Sequence, residues 1–333
     1  MAPVPGSLAE ALGRGPVMAD GGLSTVLAEL GAAPSGGGSA LWTGEVLATR
    51  PAAIEEAHAR MISAGARVVL AAGYQVSRMG AVASGRRPEA GDELLVEATR
   101  RAVTARNRMR AQRPGPAWVA ASIGPYGAAL ADGSEYRGRY AIGRPDLAEF
   151  HRGRLEVWVE AQRQLSTRAD VWWCETIPDG VEAEVLGDEL GRSVAALGEQ
   201  GLPAPEIVVT MTVRSDGRCP TGEPVDEALA PILGGGALKP IAVGVNCCAP
   251  ADVTAALERL AGITRLPLVA KPNLGGAWNA ADGRFEGAGP STPDPERLRR
   301  WLDVGARLIG GCCGTGTAEL AELADLARLL SAH

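Results

Sequence analysis

Short apolar runs rich in β-branched residues alternate with longer amphipathic stretches along the chain. The runs occupy 17–19, 67–71, 117–122, 171–174, 206–212, 241–245, 267–270 and 307–309. They are continuous, not alternating, as expected for parallel strands buried on both faces. Between them, 51–64 carries Ile54, His58, Met61 and Ile62 at helical spacing, behind a proline suited to a first turn. The stretches 94–112, 146–165, 180–197, 251–260, 294–304 and 317–330 read the same way. Eight strand–helix alternations predict an α/β fold, and eight parallel strands close into a (β/α)8 TIM barrel. A doubly wound open sheet is the competitor. It would carry a GxGxxG loop after its first strand, and Asp20-Gly21-Gly22-Leu23-Ser24 lacks that spacing. The Gly/Pro-rich stretches 32–39 and 273–293 read as loops on one body, so residues 1–333 are expected to form a single domain.

Composition narrows the function classes. With 333 residues and 46% hydrophobic positions, the chain can build its core without disulfide staples. A formal net charge of −6 argues against nucleic acid, which needs a basic excess. Lys239 and Lys271 are the only lysines, so nearly all positive charge is arginine. No apolar run is long enough to span a membrane, and Met1 to Gly6 does not begin a signal peptide. Small-molecule partners are therefore expected, with neither nucleic acid nor membrane, and the sequence sets no oligomeric state. Four of the six cysteines form two vicinal pairs, Cys247-Cys248 and Cys312-Cys313. Adjacent cysteines seldom bond to each other, so a reduced, cytoplasmic protein is the economical expectation.

Reactive residues gather just after the strands: Asp20-Gly21-Gly22, Gly73-Tyr74-Gln75, Gly124-Pro125-Tyr126-Gly127, Cys174-Glu175-Thr176, Asn246-Cys247-Cys248, Lys271-Pro272-Asn273 and Gly310-Gly311-Cys312-Cys313. In a barrel the carboxyl ends of all strands converge on one face, which carries the active site. Cys247, Cys312 and Cys313 then come within reach of one ion. Three thiolates hold Zn2+ at about 2.3 Å and leave a fourth tetrahedral position open, the mark of a catalytic site. The glycines at 310, 311 and 314 permit the turn that lets both Cys312 and Cys313 ligate. Cys248 points away from Cys247 while the strand lasts and is assigned to packing, as are Cys174 and Cys219.

Gly244-Val245-Asn246-Cys247 and Gly310-Gly311-Cys312-Cys313-Gly314 resemble the two zinc-binding motifs of the homocysteine S-methyltransferase family. The resemblance covers nearly the whole chain. It includes Asp20-Gly21-Gly22, Leu41-Trp42-Thr43, Tyr74-Gln75, Ser122-Ile123-Gly124-Pro125-Tyr126-Gly127, Ala131-Asp132-Gly133-Ser134-Glu135-Tyr136, Glu175-Thr176-Ile177-Pro178 and Asp216-Gly217 to Gly222-Glu223. It points to the branch using S-methylmethionine or S-adenosylmethionine more than to the betaine-using branch. Where family members often read Tyr-Pro-Asn-Ser-Gly-Glu, this chain has Lys271-Pro272-Asn273-Leu274-Gly275-Gly276.

The resemblance implies methyl transfer to the sulfur of homocysteine, giving methionine, with zinc as cofactor. Cys247, Cys312 and Cys313 are then both metal ligands and catalytic residues. Glu175 and Asp20 are candidates for the substrate ammonium, and the N–H groups of Gly21 and Gly22 for its carboxylate. Asn246 is expected to hydrogen-bond a ligand or substrate. Tyr74 and Tyr126 are candidates to face a sulfonium. His58, His151 and His333 are not read as catalytic bases. Two alternatives stay open: a barrel with a structural zinc and a binding or regulatory role, and a redox protein cycling Cys312 and Cys313, which the absence of a CxxC weakens.

Overall fold

The computed structural model describes residues 6–34, 40–234, 238–273, 275, 277–279, 284–286 and 294–331. His333, Leu274, Gly276, residues 1–5 and parts of the loops at 32–39 and 273–293 lie outside them. In chain order the strands are β1 (Val17–Met18), β2 (Val68–Leu70), β3 (Trp118–Ile123), β4 (Val171–Ile177), β5 (Glu206–Met211), β6 (Ala242–Asn246), β7 (Leu268–Lys271), β8 (Ala277–Asn279), β9 (Arg284–Glu286) and β10 (Ala306–Ile309). Eight of them form one parallel sheet in the order β1-β10-β7-β6-β5-β4-β3-β2. A parallel bridge between Ala19 and Val68, with Arg67 N–H donating to Met18 O at 2.7 Å, joins the two ends of that order. The fold is a (β/α)8 barrel.

All eight expected strands are present. β4 runs past its apolar run through Glu175 and Thr176, two polar residues that hide its continuation. Two departures are informative. The expected loop at 273–293 contains the antiparallel β8–β9 hairpin. The helix Val225–Leu233, between β5 and β6, was not expected. Its Pro231 interrupts an otherwise apolar helical pattern, and Pro inside a run normally ends a helix.

Side chains alternate across each strand and build two cores. Val119, Ala121, Trp172, Cys174, Val209, Val243 and Val245 face the surrounding helices. Trp118, Ala120, Val171, Trp173, Val208, Ala242, Val269 and Leu308 fill the barrel interior. The helix Leu8–Arg14 adds Leu8 and Leu12 to that interior cluster. It is tied down by Glu206, whose carboxylate accepts from Leu8 N at 2.6 Å and Ala9 N at 2.8 Å, satisfying two unpaired donors of the first turn. Among the described residues no helix is long and apolar enough to cross a membrane.

Candidate metal and substrate site

The inward-facing column of each strand changes character toward the carboxyl end. Above Ala120, Trp173, Val208, Ala242 and Val269 the same parity brings Ser122, Glu175, Thr210, Asn246 and Lys271, all buried. These polar side chains form the floor of a cavity of about 380 Å³ or lie directly beneath it. Asp20, Tyr74, Glu135, Tyr136, Cys247, Cys312 and Cys313 complete the part of its wall that carries chemistry.

The three expected cysteines meet. Their sulfur atoms all lie within 4.8 Å of one another, and Cys247 Sγ is 3.7 Å from Cys313 Sγ. Two sulfurs bound to one ion at about 2.3 Å in a tetrahedron stand about 3.8 Å apart, so the Cys247–Cys313 spacing matches and Cys312 lies within reach of the same ion. Soft thiolates without carboxylate or imidazole favour a thiophilic ion over a hard one such as magnesium or calcium. Two backbone devices create the cluster. Cys247 follows the last residue of β6 with φ +54°, which breaks strand parity and turns its thiol into the cavity. Cys248 instead joins the core against the helices. At the second motif, a Cβ on Gly311 would lie 2.3 Å from Thr315 Cγ2, and one on Gly310 would lie 2.7 Å from Asp20 O. Only glycine lets the loop fold this tightly, with Cys312 N–H on Pro272 O at 2.7 Å and Gly314 N–H on Thr25 Oγ1 at 3.0 Å. Hydrogen bonds from Cys247 and Cys313 hold the Cys312 thiol well below its usual range. Tyr136 Oη lies 3.1 Å from Cys247 Sγ.

Glu175 is positioned from both sides. Ser122 Oγ donates to its Oε1, and Asn246 Nδ2 approaches Oε2 at 3.4 Å. Asn246 also donates to Thr176 Oγ1 at 2.7 Å, while its Oδ1 accepts from Thr176 N at 2.7 Å and Thr210 Oγ1 at 2.8 Å. Asn246 thus orients the Glu175-Thr176 corner, where Thr176 sits at φ +62°. Burial pushes the Glu175 carboxyl up to about 7, against the pull of Lys271.

Asp20 is already engaged. Lys271 Nζ lies 3.2 Å from its Oδ1, and Leu70 N–H donates to Oδ2 at 2.7 Å. Gly22 N–H is also engaged, donating to Thr315 O at 2.9 Å. Gly21 and Gly22 have a second reason to be glycine: a Cβ would meet Thr315 O at 2.6 Å or Cys312 O at 2.7 Å. Tyr74 lines the cavity, whereas Tyr126 does not. Its ring packs edge-on against Tyr140 and Phe150, at centroid distances of 5.2 and 5.1 Å. His58 and His151 are buried in helices away from the cavity wall.

Lys271, Ser122, Glu135 and Tyr136 are cavity residues to which the sequence assigned no role. For Ser122 and Lys271 a signal existed in the period-2 parity of β3 and β7. Glu135 and Tyr136 lie on a one-turn 3-10 helix, Ser134–Tyr136, whose orientation no periodicity foretells.

The profile of the homocysteine S-methyltransferase family matches residues 17–327. The homocysteine S-methyltransferase of Escherichia coli (strain K12) is 35% identical over 310 residues, covering 92% of this chain and 94% of that one. The homocysteine S-methyltransferase YbgG of Bacillus subtilis (strain 168) is 32% identical over 320 residues, covering 94% and 95%. Among solved structures, the metallated form of the homocysteine methyltransferase MmuM from Escherichia coli superposes with a TM-score of 0.79. It is 32% identical, with 96% of this chain and 98% of that chain covered.

Proposed function

Since the chain belongs to the homocysteine S-methyltransferase family, we propose that it transfers a methyl group from a sulfonium donor, S-methylmethionine or S-adenosylmethionine, to the sulfur of L-homocysteine, with zinc held by Cys247, Cys312 and Cys313. The observation that carries this reading is the spacing of the three sulfurs, which suits one tetrahedral ion with a vacant fourth position. Bound zinc supplies Lewis acidity, which keeps an incoming thiol deprotonated and nucleophilic at neutral pH.

The remaining work falls to the chain. Glu175, fixed by Ser122 and Asn246, takes the homocysteine ammonium. Asp20 contributes to that end of the cavity chiefly by fixing Lys271 in place. Lys271 offers the substrate carboxylate a charge partner beside Gly21, since Gly22 N–H is engaged by Thr315. Tyr74 presents its ring to the sulfonium. The homocysteine sulfur then attacks the donor methyl carbon. The new S–CH3 bond forms as the old one breaks, and the sulfonium sulfur leaves as a neutral thioether carrying the electron pair. No proton moves in this step, so no catalytic histidine is required. The whole chain, residues 1–333, is read as one homocysteine-binding barrel in a reducing compartment that keeps the thiols free.

The test is a donor panel. Purified protein is incubated with homocysteine and S-methylmethionine, S-adenosylmethionine or betaine, with methionine measured and bound metal determined by elemental analysis. One zinc per chain and turnover with a sulfonium are expected. Turnover with betaine alone, or undiminished turnover without metal, overturns the reading.

A further inference from the structure

The cavity holds a carboxylate with one buried oxygen that no group among the described residues partners. Glu135 lies on the 3-10 turn Ser134–Tyr136, is only 6% exposed and lines the cavity. Its Oε2 is fully buried and has no hydrogen-bond partner among the described residues. The nearby guanidinium pulls on it only from a distance: Arg137 donates to Asp132 O at 3.1 Å and Ser134 Oγ at 3.0 Å, and pairs with Asp132 Oδ2 at 3.3 Å. The turn cannot withdraw. Asp132 Oδ1 caps Ser134 N at 2.9 Å, and the backbone of Gly127 packs so closely beneath that a Cβ there would lie 2.5 Å from Glu135 N. A carboxylate held dry with an unpartnered oxygen is unfavourable until a cation arrives.

Its position indicates which cation. Tyr136, the next residue, reaches the metal cluster through Cys247. Lys271 and Glu175 belong to β7 and β4, Asp20 follows β1, and the three make up the proposed amino-acid end for homocysteine. Glu135 comes from the segment after β3, on the wall shared with Tyr74 and Tyr136. That wall also fits a positively charged donor, by ring faces as well as by charge.

We propose that Glu135 binds the cationic methyl donor, its carboxylate pairing with the donor's positive charge while homocysteine occupies the Glu175 end. The inference deepens the methyl-transfer reading and rests on it. Burial pushes the free Glu135 carboxyl up to about 7, as expected for a group whose partner is the ligand.

The experiment compares wild type, Glu135→Gln and Glu135→Asp as metal-loaded full-length chains, by initial rates with each substrate varied in turn. Glu135→Gln should raise the donor KM about tenfold or more, the loss of one charge-assisted contact. Its homocysteine KM and metal content should be unchanged. Glu135→Asp, which keeps the charge on a shorter arm, should fall between. An unchanged donor KM in Glu135→Gln overturns the inference. So does an equal rise in both KM values, or metal loss in both variants, which would make Glu135 a support for the turn. Absence of methionine formation by wild type removes the parent reading, so the two failures are distinguishable.

Discussion

The ammonium of Lys271 lies 3.2 Å from the carboxylate of Asp20, with both side chains buried where β7 and β1 end. Burial opposes the charge on Lys271, but Asp20, Cys312 and Glu175 outweigh it and hold the ammonium above its ordinary range. Burial raises the Asp20 carboxyl as well, against the pull of Lys271, and the contact ties the cavity floor together between strands that are neighbours only through β10. Removing one partner leaves the other charge buried alone. Lys271→Met should lower unfolding stability by about 3–5 kcal/mol, whereas Lys271→Met with Asp20→Asn should cost less than the two single changes together. Denaturant unfolding of the four proteins measures this, and additivity within error would show that the pair is not coupled.

Each metal-cluster cysteine should be indispensable and its neighbour dispensable. Cys247→Ser, Cys312→Ser and Cys313→Ser are expected to lose bound metal and methionine formation, because two sulfurs leave the tetrahedron incomplete. Cys248→Ala should retain both, since its thiol packs in the apolar layer beneath the helices. Elemental analysis beside the methionine assay decides the matter. Metal-free but active Cys312→Ser would falsify the cluster's role.

The eight strands were legible because a parallel sheet buried on both faces writes itself as continuous apolar runs, and the cysteines because two vicinal pairs at two strand ends are rare. What escaped the sequence depends on closure. Lys271 and Asp20 lie 251 positions apart and meet only when the sheet order wraps round. The target of Asn246 was likewise hidden: parity places it inside the barrel, but nothing local says that it grips the Glu175-Thr176 corner. Tyr126 was a candidate to face the sulfonium, with buried packing the equal alternative, and packing is what the structure gives it. The short helix Tyr126–Leu130 begins with it, and its ring packs against Phe150 and Tyr140.

Chelation separates a catalytic metal from a structural one. None of Cys247, Cys312 and Cys313 belongs to the strand ladder or to either apolar core, and their sulfurs sit on segments that follow the strands. Removing the ion should abolish methyl transfer while far-UV circular dichroism is preserved and the thermal midpoint falls by only about 5 °C. Collapse of the dichroism signal on chelation would instead support the alternative of a structural ion.

His58 should make the fold acid-sensitive without touching the site. It is wholly buried on the helix Pro51–Ser63, and neither ring nitrogen has a hydrogen-bond partner among the described residues. Burial lowers its folded value to about 4, from 6.5 when solvated. Between those values the unfolded chain binds the proton more readily, so this residue's contribution is fully present above pH 6.5 and is lost as pH falls toward 4. The loss amounts to roughly 3 kcal/mol. Glu135 and Glu175, both pushed up to about 7, act in the opposite sense, favouring the folded state as they take up protons. The informative quantity is thus the difference between wild type and His58→Leu, which keeps the carboxyl contributions common to both. Unfolding free energies measured from pH 7 to 4 should fall more steeply for wild type, and parallel curves would show that His58 finds a proton-accepting partner in the folded protein.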